Sequence, residues 1–178
     1  MKPLDFQQDF FHLFKLPISF ELDSEQLDQR YRALQTQVHP DKFAHLSESE
    51  RRLSVQWATR VNEGYQTLRN PLSRGRYLLL LQGVDTQEES NTAMPVDFLI
   101  QQMEWREALQ EAIRAKDSIA LEGLHERTRQ ETRALQQQLG KQIDEVHDYH
   151  AASGIVRKLK FLEKLAEEIA SAFDEVES

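Results

Sequence analysis

The sequence predicts an all-α fold in two domains, and three observations predict it. Apolar residues recur at helical spacing along nearly the whole chain, and no convincing segment alternates apolar with polar as a half-buried strand does. Three amphipathic segments follow Pro95, a count that suits a small bundle with short connections. The polar, aperiodic stretch GVDTQEESNTAMP separates them from the helices before it and reads as a linker. The expected division is a first domain over residues 1–82, a linker over 83–95 and a second domain over 96–178.

Each element has a local reason. FFHLFKLP reads as a short helix stopped by Pro17. In LDSEQLDQRYRALQTQV, Asp23 or Ser24 can serve as N-cap, and Leu27, Tyr31, Leu34 and Val38 form one narrow stripe. This second helix stops near His39, because Pro40 disfavours the α conformation in the residue before it. Ser47 or Ser49 can cap a third helix with Ala58, Val61, Tyr65 and Leu68 inward, stopped by Arg69-Asn70-Pro71. The two form an antiparallel pair joined by an exposed loop. LSRGRYLLLLQG is a short fourth helix that ends at Gly83. Beyond the linker, VDFLIQQMEWREALQEAIRAKD, SIALEGLHERTRQETRALQQQL and GIVRKLKFLEKLAEEIASAF are the three bundle helices, the last with Ile155, Leu159, Leu162, Ala166, Ile169 and Phe173 as core stripe.

Composition excludes several function classes. The chain of 178 residues, 39% hydrophobic, can bury a core without staples. Its 22 Lys and Arg against 30 Asp and Glu give a net charge of −8, which argues against nucleic-acid backbone binding and for a protein partner. Without cysteine it forms no disulfide and offers no thiolate to zinc or an iron–sulfur cluster. The longest apolar run, YLLLL, is far short of the about 20 residues that span a bilayer. The N-terminal MKPLDFQQDFFHLF carries Asp5 and Asp9 within its apolar part and lacks a small-residue cleavage site, so a cytoplasmic location is expected.

The loop QVHPDKFAHLSESE, over residues 37–50, carries the most chemistry. Its His39-Pro40-Asp41 admits three readings from the residues alone. One is a turn, with Pro fixing φ and His suiting a helix C-terminus. A catalytic reading needs a His and a carboxylate around a nucleophile or metal, and the chain shows neither GxSxG nor HExxH. A metal reading would recruit His45, or separately His147 and His150 at i,i+3, two imidazoles without a clear third ligand. None of the six glycines opens a phosphate-cradling loop, so any ATP hydrolysis belongs to another protein.

In context, HPD between two antiparallel helices, with a short aromatic helix before and VNEGYQTLRNP after, resembles the J-domain of DnaJ-type co-chaperones over residues 8–82. The resemblance implies that His39, Pro40 and Asp41 dock on a heat-shock-seventy-class chaperone and trigger hydrolysis of its bound ATP, with Asp41 offering a carboxylate to a cationic site. Arg30, Arg32 and Lys42 would supply the basic surface beside the loop. The segment LQTQV stands where Lys or Arg is common in J-domains, a departure that implies a dedicated chaperone partner. DFFHLFKLP, HPDKF, NPLSRGRYLL, FLIQQMEWREAL and VRKLKFLEKL together resemble the HscB family, the J-type co-chaperones of bacterial iron–sulfur cluster assembly, over nearly the whole chain. This implies an L-shaped protein, not itself an enzyme and without a cofactor, that brings the scaffold protein IscU to the chaperone HscA.

Helical geometry bears on the client surface. At about 100° per residue, Phe98, Trp105, Leu109, Ala112 and Ile113 cluster on the core side of the first bundle helix. Leu99, Ile100, Met103, Glu104, Glu107 and Glu111 fall on the other side, and Phe161 lies outside the core face of the last helix, where it can join them. A client face, or packing against the third helix or first domain, accounts for that pattern equally well from geometry. The HscB resemblance implies that these seven residues bind IscU. Gln101 stands where some relatives have an acidic residue, and Trp57 and Trp105 read as core. The alternative is a J-domain co-chaperone with a different client, or with a bundle that is only a structural platform.

Overall fold

The structure, a computed structural model, describes residues 7–38, 47–86 and 94–176. Every regular element among the described residues is helical, and the chain divides into two compact units, Met1–Leu78 and Leu79–Ser178.

The first unit opens with α1 (Phe10–Leu13), capped by the Asp9 carboxylate, which accepts from the His12 N–H at 2.9 Å. Lys15 at φ 54° turns the chain out of α1 ahead of Pro17. Although only one turn long, α1 buries Phe10, Phe11 and Leu13. It lies against α3 (Glu48–Arg69) where Gly64 allows it: a Cβ there would meet Phe10 Cδ1 at 2.8 Å and Phe14 Cε2 at 3.0 Å. The Phe10 N–H donates to the Tyr77 hydroxyl at 3.0 Å, and burial raises the Tyr77 pKa above its ordinary value.

Helix α2 (Ser24–Val38) is capped by Asp23, whose carboxylate accepts from the Gln26 N–H at 3.0 Å. Leu27 and Val38 are buried, and Tyr31 and Leu34 are half-buried. Three side-chain ties show that α2 and α3 run antiparallel. Ser54 Oγ donates to the Val38 carbonyl at 2.9 Å, the Tyr31 hydroxyl to Asn62 Oδ1 at 2.9 Å, and the Tyr65 hydroxyl to Asp28 Oδ1 at 2.8 Å. Tyr31 and Tyr65 stack with ring centroids 3.9 Å apart. Ser47 caps α3 in a reciprocal box with Glu50. Asn70 ends α3 and caps α4 (Pro71–Leu81), accepting from the Ser73 N–H at 3.0 Å, with Pro71 in the first helical position. The division between the units falls inside α4, which ends where Gly83 adopts φ 73° and the Val84 N–H reaches back to the Leu79 carbonyl at 2.9 Å.

In the second unit α5 (Val96–Ala115) turns at Lys116, φ 52°, into α6 (Ser118–Gly140), capped by the Asp117 carboxylate. The predicted α6 then continues into a π-helical turn, Lys141–Val146, that the apolar pattern does not anticipate. His147 at φ 58° leaves this turn, and Asp148 caps α7 (Tyr149–Val176) by accepting from the Ala151 N–H at 2.9 Å. The last helix spans Tyr149–Val176 and so begins before the expected Gly154, because a good cap and the small buried Ala152 and Ser153 extend it where large aliphatics are missing. Its core stripe also differs. Val156, Leu165 and Ala172 are buried together with Leu159, Leu162 and Ile169, whereas Ile155 and Phe173 are half-buried and Ala166 is exposed. From Val156 to Ala172 the buried positions recur every three or four residues, fewer than 3.6 on average, so the stripe drifts around the helix instead of running straight along it.

Candidate interaction surfaces

His39, Pro40, Asp41 and Lys42 lie outside the described residues, as does His45. What the structure describes is the two helix ends on either side of them, Val38 and Glu48. On the α2 side, Val38 is 3% exposed, and its carbonyl accepts from Ser54, itself 4% exposed. On the α3 side, Glu50 accepts from both the hydroxyl and the N–H of Ser47, and these two bonds hold its carboxyl below the usual range. The Tyr65 hydroxyl is shifted the other way, its pKa raised by the hydrogen bond it donates to Asp28. Sequence reasoning passed over Ser54. The available signal was a small polar residue on the inward stripe with Trp57 and Val61.

Arg30 and Arg32 are both exposed on α2. Two residues apart, they point about 200° apart around the helix and do not form one patch.

On α5, Phe98, Trp105, Leu109 and Ala112 face inward and Ile113 is half-buried. Opposite them Leu99 is 41% exposed, Ile100 53% and Met103 72%. Glu104, Glu107 and Glu111 are exposed around these three, and none is in an ion pair among the described residues. The α5 helix therefore presents an aliphatic patch rimmed by carboxylates, an arrangement suited to a partner that is apolar at its centre and basic at its edge.

Phe161 is placed differently from the expectation that it stands clear of the core. It is half-buried at the seam of α5 and α7, edge-on to Phe98 at 5.9 Å and stacked on Trp105 at 6.2 Å. The Arg106 guanidinium covers it at 5.5 Å while pairing with Glu168 at 3.3 Å. The reason is tertiary: α7 meets α5 where the rings of Phe98 and Trp105 offer a third ring aromatic contacts that solvent does not. Trp57 and Trp105, at 5% and 7% exposure, are core residues.

The His147 and His150 pair does not share a helix. His147 terminates the π-helical turn, its Nδ1 2.8 Å from the Ile143 carbonyl, while His150 lies in the first turn of α7. Among the described residues no group of three His, Cys, Asp or Glu could hold a metal ion, and no helix is long and apolar enough to cross a membrane.

Comparison with known proteins places the chain in a family. The model of the HSCB C-terminal oligomerisation domain matches residues 94–170. The chain is 52% identical over 175 residues to the co-chaperone protein HscB homolog of Aromatoleum aromaticum, covering 98% of this chain and 99% of that one. With the HscB homolog of Chromobacterium violaceum it shares 54% identity over 170 residues, 96% of each chain. Among solved structures, chaperone HscB from Vibrio cholerae matches at 39% identity with a TM-score of 0.83, over 95% of this chain and 99% of that one. Human co-chaperone protein HscB matches at 33% identity with a TM-score of 0.89, over 94% of this chain and 83% of that one.

Proposed function

Because the chain belongs to the HscB family of J-type co-chaperones, we propose that it serves iron–sulfur cluster assembly in the cytoplasm as a non-enzymatic adaptor between two proteins. Its partners on this reading are the chaperone ATPase HscA and the scaffold protein IscU. Residues 1–82 act as the J-domain and present His39, Pro40, Asp41 and Lys42 to HscA, with Arg30 and Arg32 on separate flanks of α2. The ATP and the groups that hydrolyse it stay with HscA. Residues 96–178 carry IscU on Leu99, Ile100, Met103, Glu104, Glu107 and Glu111, with Phe161 beside them at the α5–α7 seam. Tethering both partners to one chain raises the local concentration of scaffold at the chaperone without any contact between them.

The observation that supports this reading most is the α5 face. Three large aliphatic side chains held in water gain about 25 cal/mol per Å² when a partner covers them, and the carboxylate rim selects against an acidic partner. The test is single-turnover ATP hydrolysis by HscA with this protein and with His39→Gln, in the presence and absence of IscU. Stimulation by the parent that the variant loses and that IscU multiplies is the expected result. Lack of stimulation by the parent would sink the reading. Separately, Met103→Ala with Phe161→Ala should weaken IscU binding and leave stimulation without IscU intact. Loss of neither activity, or of both, would refute the division of labour between the domains.

A further inference from the structure

Beside the outward face of α5, the seam between α5 and α6 opens into a groove of about 500 Å³, lined by residues that include Glu104, Trp105, Ala108, Arg127, Gln130 and Glu131. Glu104 belongs to both the face and the groove, so the two surfaces are continuous. Trp105 and the half-buried Ala108 contribute apolar lining. The walls carry one carboxylate from each helix, Glu104 and Glu131, and neither is in an ion pair among the described residues. Arg127 does not neutralise them as a bound partner would: its Nε donates to the Gly123 carbonyl of its own helix at 3.3 Å. The groove on the other side of α5, toward α7, is built differently: there Glu168 is paired with Arg106 at 3.3 Å, and Lys164, Glu167 and Glu175 also line it.

We propose that the α5–α6 groove receives an arginine side chain of the client, extending the docking surface from α5 onto α6; this rests on the IscU reading above. A guanidinium suits the site in two ways. Its fork of N–H groups can reach carboxylates on two walls, and its methylene stem covers the apolar lining of Trp105 and Ala108 on the way in. An acidic client side chain would meet two carboxylates instead, and an apolar one would strip them of water without replacement. Sequence spacing on one helix does not reveal this site, because half of its wall belongs to the next helix.

The test is calorimetric titration of the full chain with purified IscU at low and at physiological salt, comparing the parent with Glu131→Lys, Glu122→Lys and Met103→Ala. Glu122 is exposed and lies about 180° around α6 from Glu131, so the two lysine variants change net charge equally. Glu131→Lys should raise Kd about tenfold, most at low salt, and Glu122→Lys should stay within about twofold of the parent. Thermal unfolding checks the fold of each variant. If Glu131→Lys melts lower, the near-isosteric Glu131→Gln replaces it, with an expected rise in Kd of about threefold. Parent-like binding by the Glu131 variant while Met103→Ala weakens binding overturns the groove and leaves the IscU reading standing. Equal weakening by both lysine variants assigns the effect to net charge and also overturns the groove. Failure of the parent to bind IscU overturns both.

Discussion

Replacing Gly64 by alanine measures how tightly α1 is held on α3. A Cβ at this position would lie 2.8 Å from Phe10 Cδ1 and 3.0 Å from Phe14 Cε2. Phe10 is 6% exposed and Phe14 fully buried, so neither ring can move aside without opening the contact. Gly123 on α6 is the counterpart, exposed and with nothing within 4 Å of an added Cβ. Alanine gains about 1 kcal/mol of helix propensity over glycine at either position. At Gly123 that gain stands, and Gly123→Ala should stabilise the second unit by about 0.5–1 kcal/mol. At Gly64 it is opposed by overpacking, which costs about 1–3 kcal/mol and falls toward the upper end because two rings are displaced at once. The net expectation for Gly64→Ala is a loss of about 1–2 kcal/mol. Urea unfolding followed by tryptophan fluorescence measures both effects, with Trp105→Phe leaving Trp57 as reporter of the first unit and Trp57→Phe leaving Trp105 for the second. A Gly64→Ala midpoint at or above that of its parent would refute the close packing of α1 on α3.

Other expectations are narrower. Met103→Ala removes a side chain that is 72% exposed and, on the proposed reading, covered by IscU, so binding should weaken by about 1–2 kcal/mol, or five- to thirty-fold in Kd, measured by calorimetry. Unchanged binding would remove Met103 from the interface. Ser54→Ala removes the hydroxyl that donates to the buried Val38 carbonyl and should cost about 1–2 kcal/mol in urea unfolding, with Ser54→Thr closer to the parent. Glu50 has a folded pKa below its unfolded value, so its stabilisation of the α3 N-terminus is complete above the ordinary carboxyl range and is lost as pH falls through the lowered folded pKa. Amide exchange in the first turn of α3 should therefore accelerate on acidification in the parent and lose that dependence in Glu50→Ala.

Elements whose ends are set by local chemistry were legible in the sequence. Asp23, Ser47, Asn70 and Gly83 each act on backbone groups within a few residues, and their signatures need no knowledge of the rest of the fold. The inward and outward faces of α5 were legible for a related reason, since periodicity separates Phe98 and Trp105 from Leu99, Ile100 and Met103 whatever the partner helix is. The π-helical turn was not, because Lys141–Val146 carries no residue type reserved for that geometry. Its conformation answers to how α6 must end for α7 to return along it. The α7 stripe was displaced for the same reason: Ile155 and Val156 are equally apolar, and only the position of α6 chooses between them.

The sequence by itself determined that this protein is helical, where most of its helices begin and end, and which family it resembles, because caps, breakers and apolar periods act over a few residues of one chain. Tertiary structure decided what side chains from different helices do together. It drew Phe161 into the rings of Phe98 and Trp105 and tied Ser54 to the last carbonyl of α2. It also brought Glu131 of α6 alongside Glu104 of α5 at one groove. Those placements depend on the separation and rotation of packed helices, which are set by the fit of whole surfaces and have no signature in the spacing of residues along any one of them.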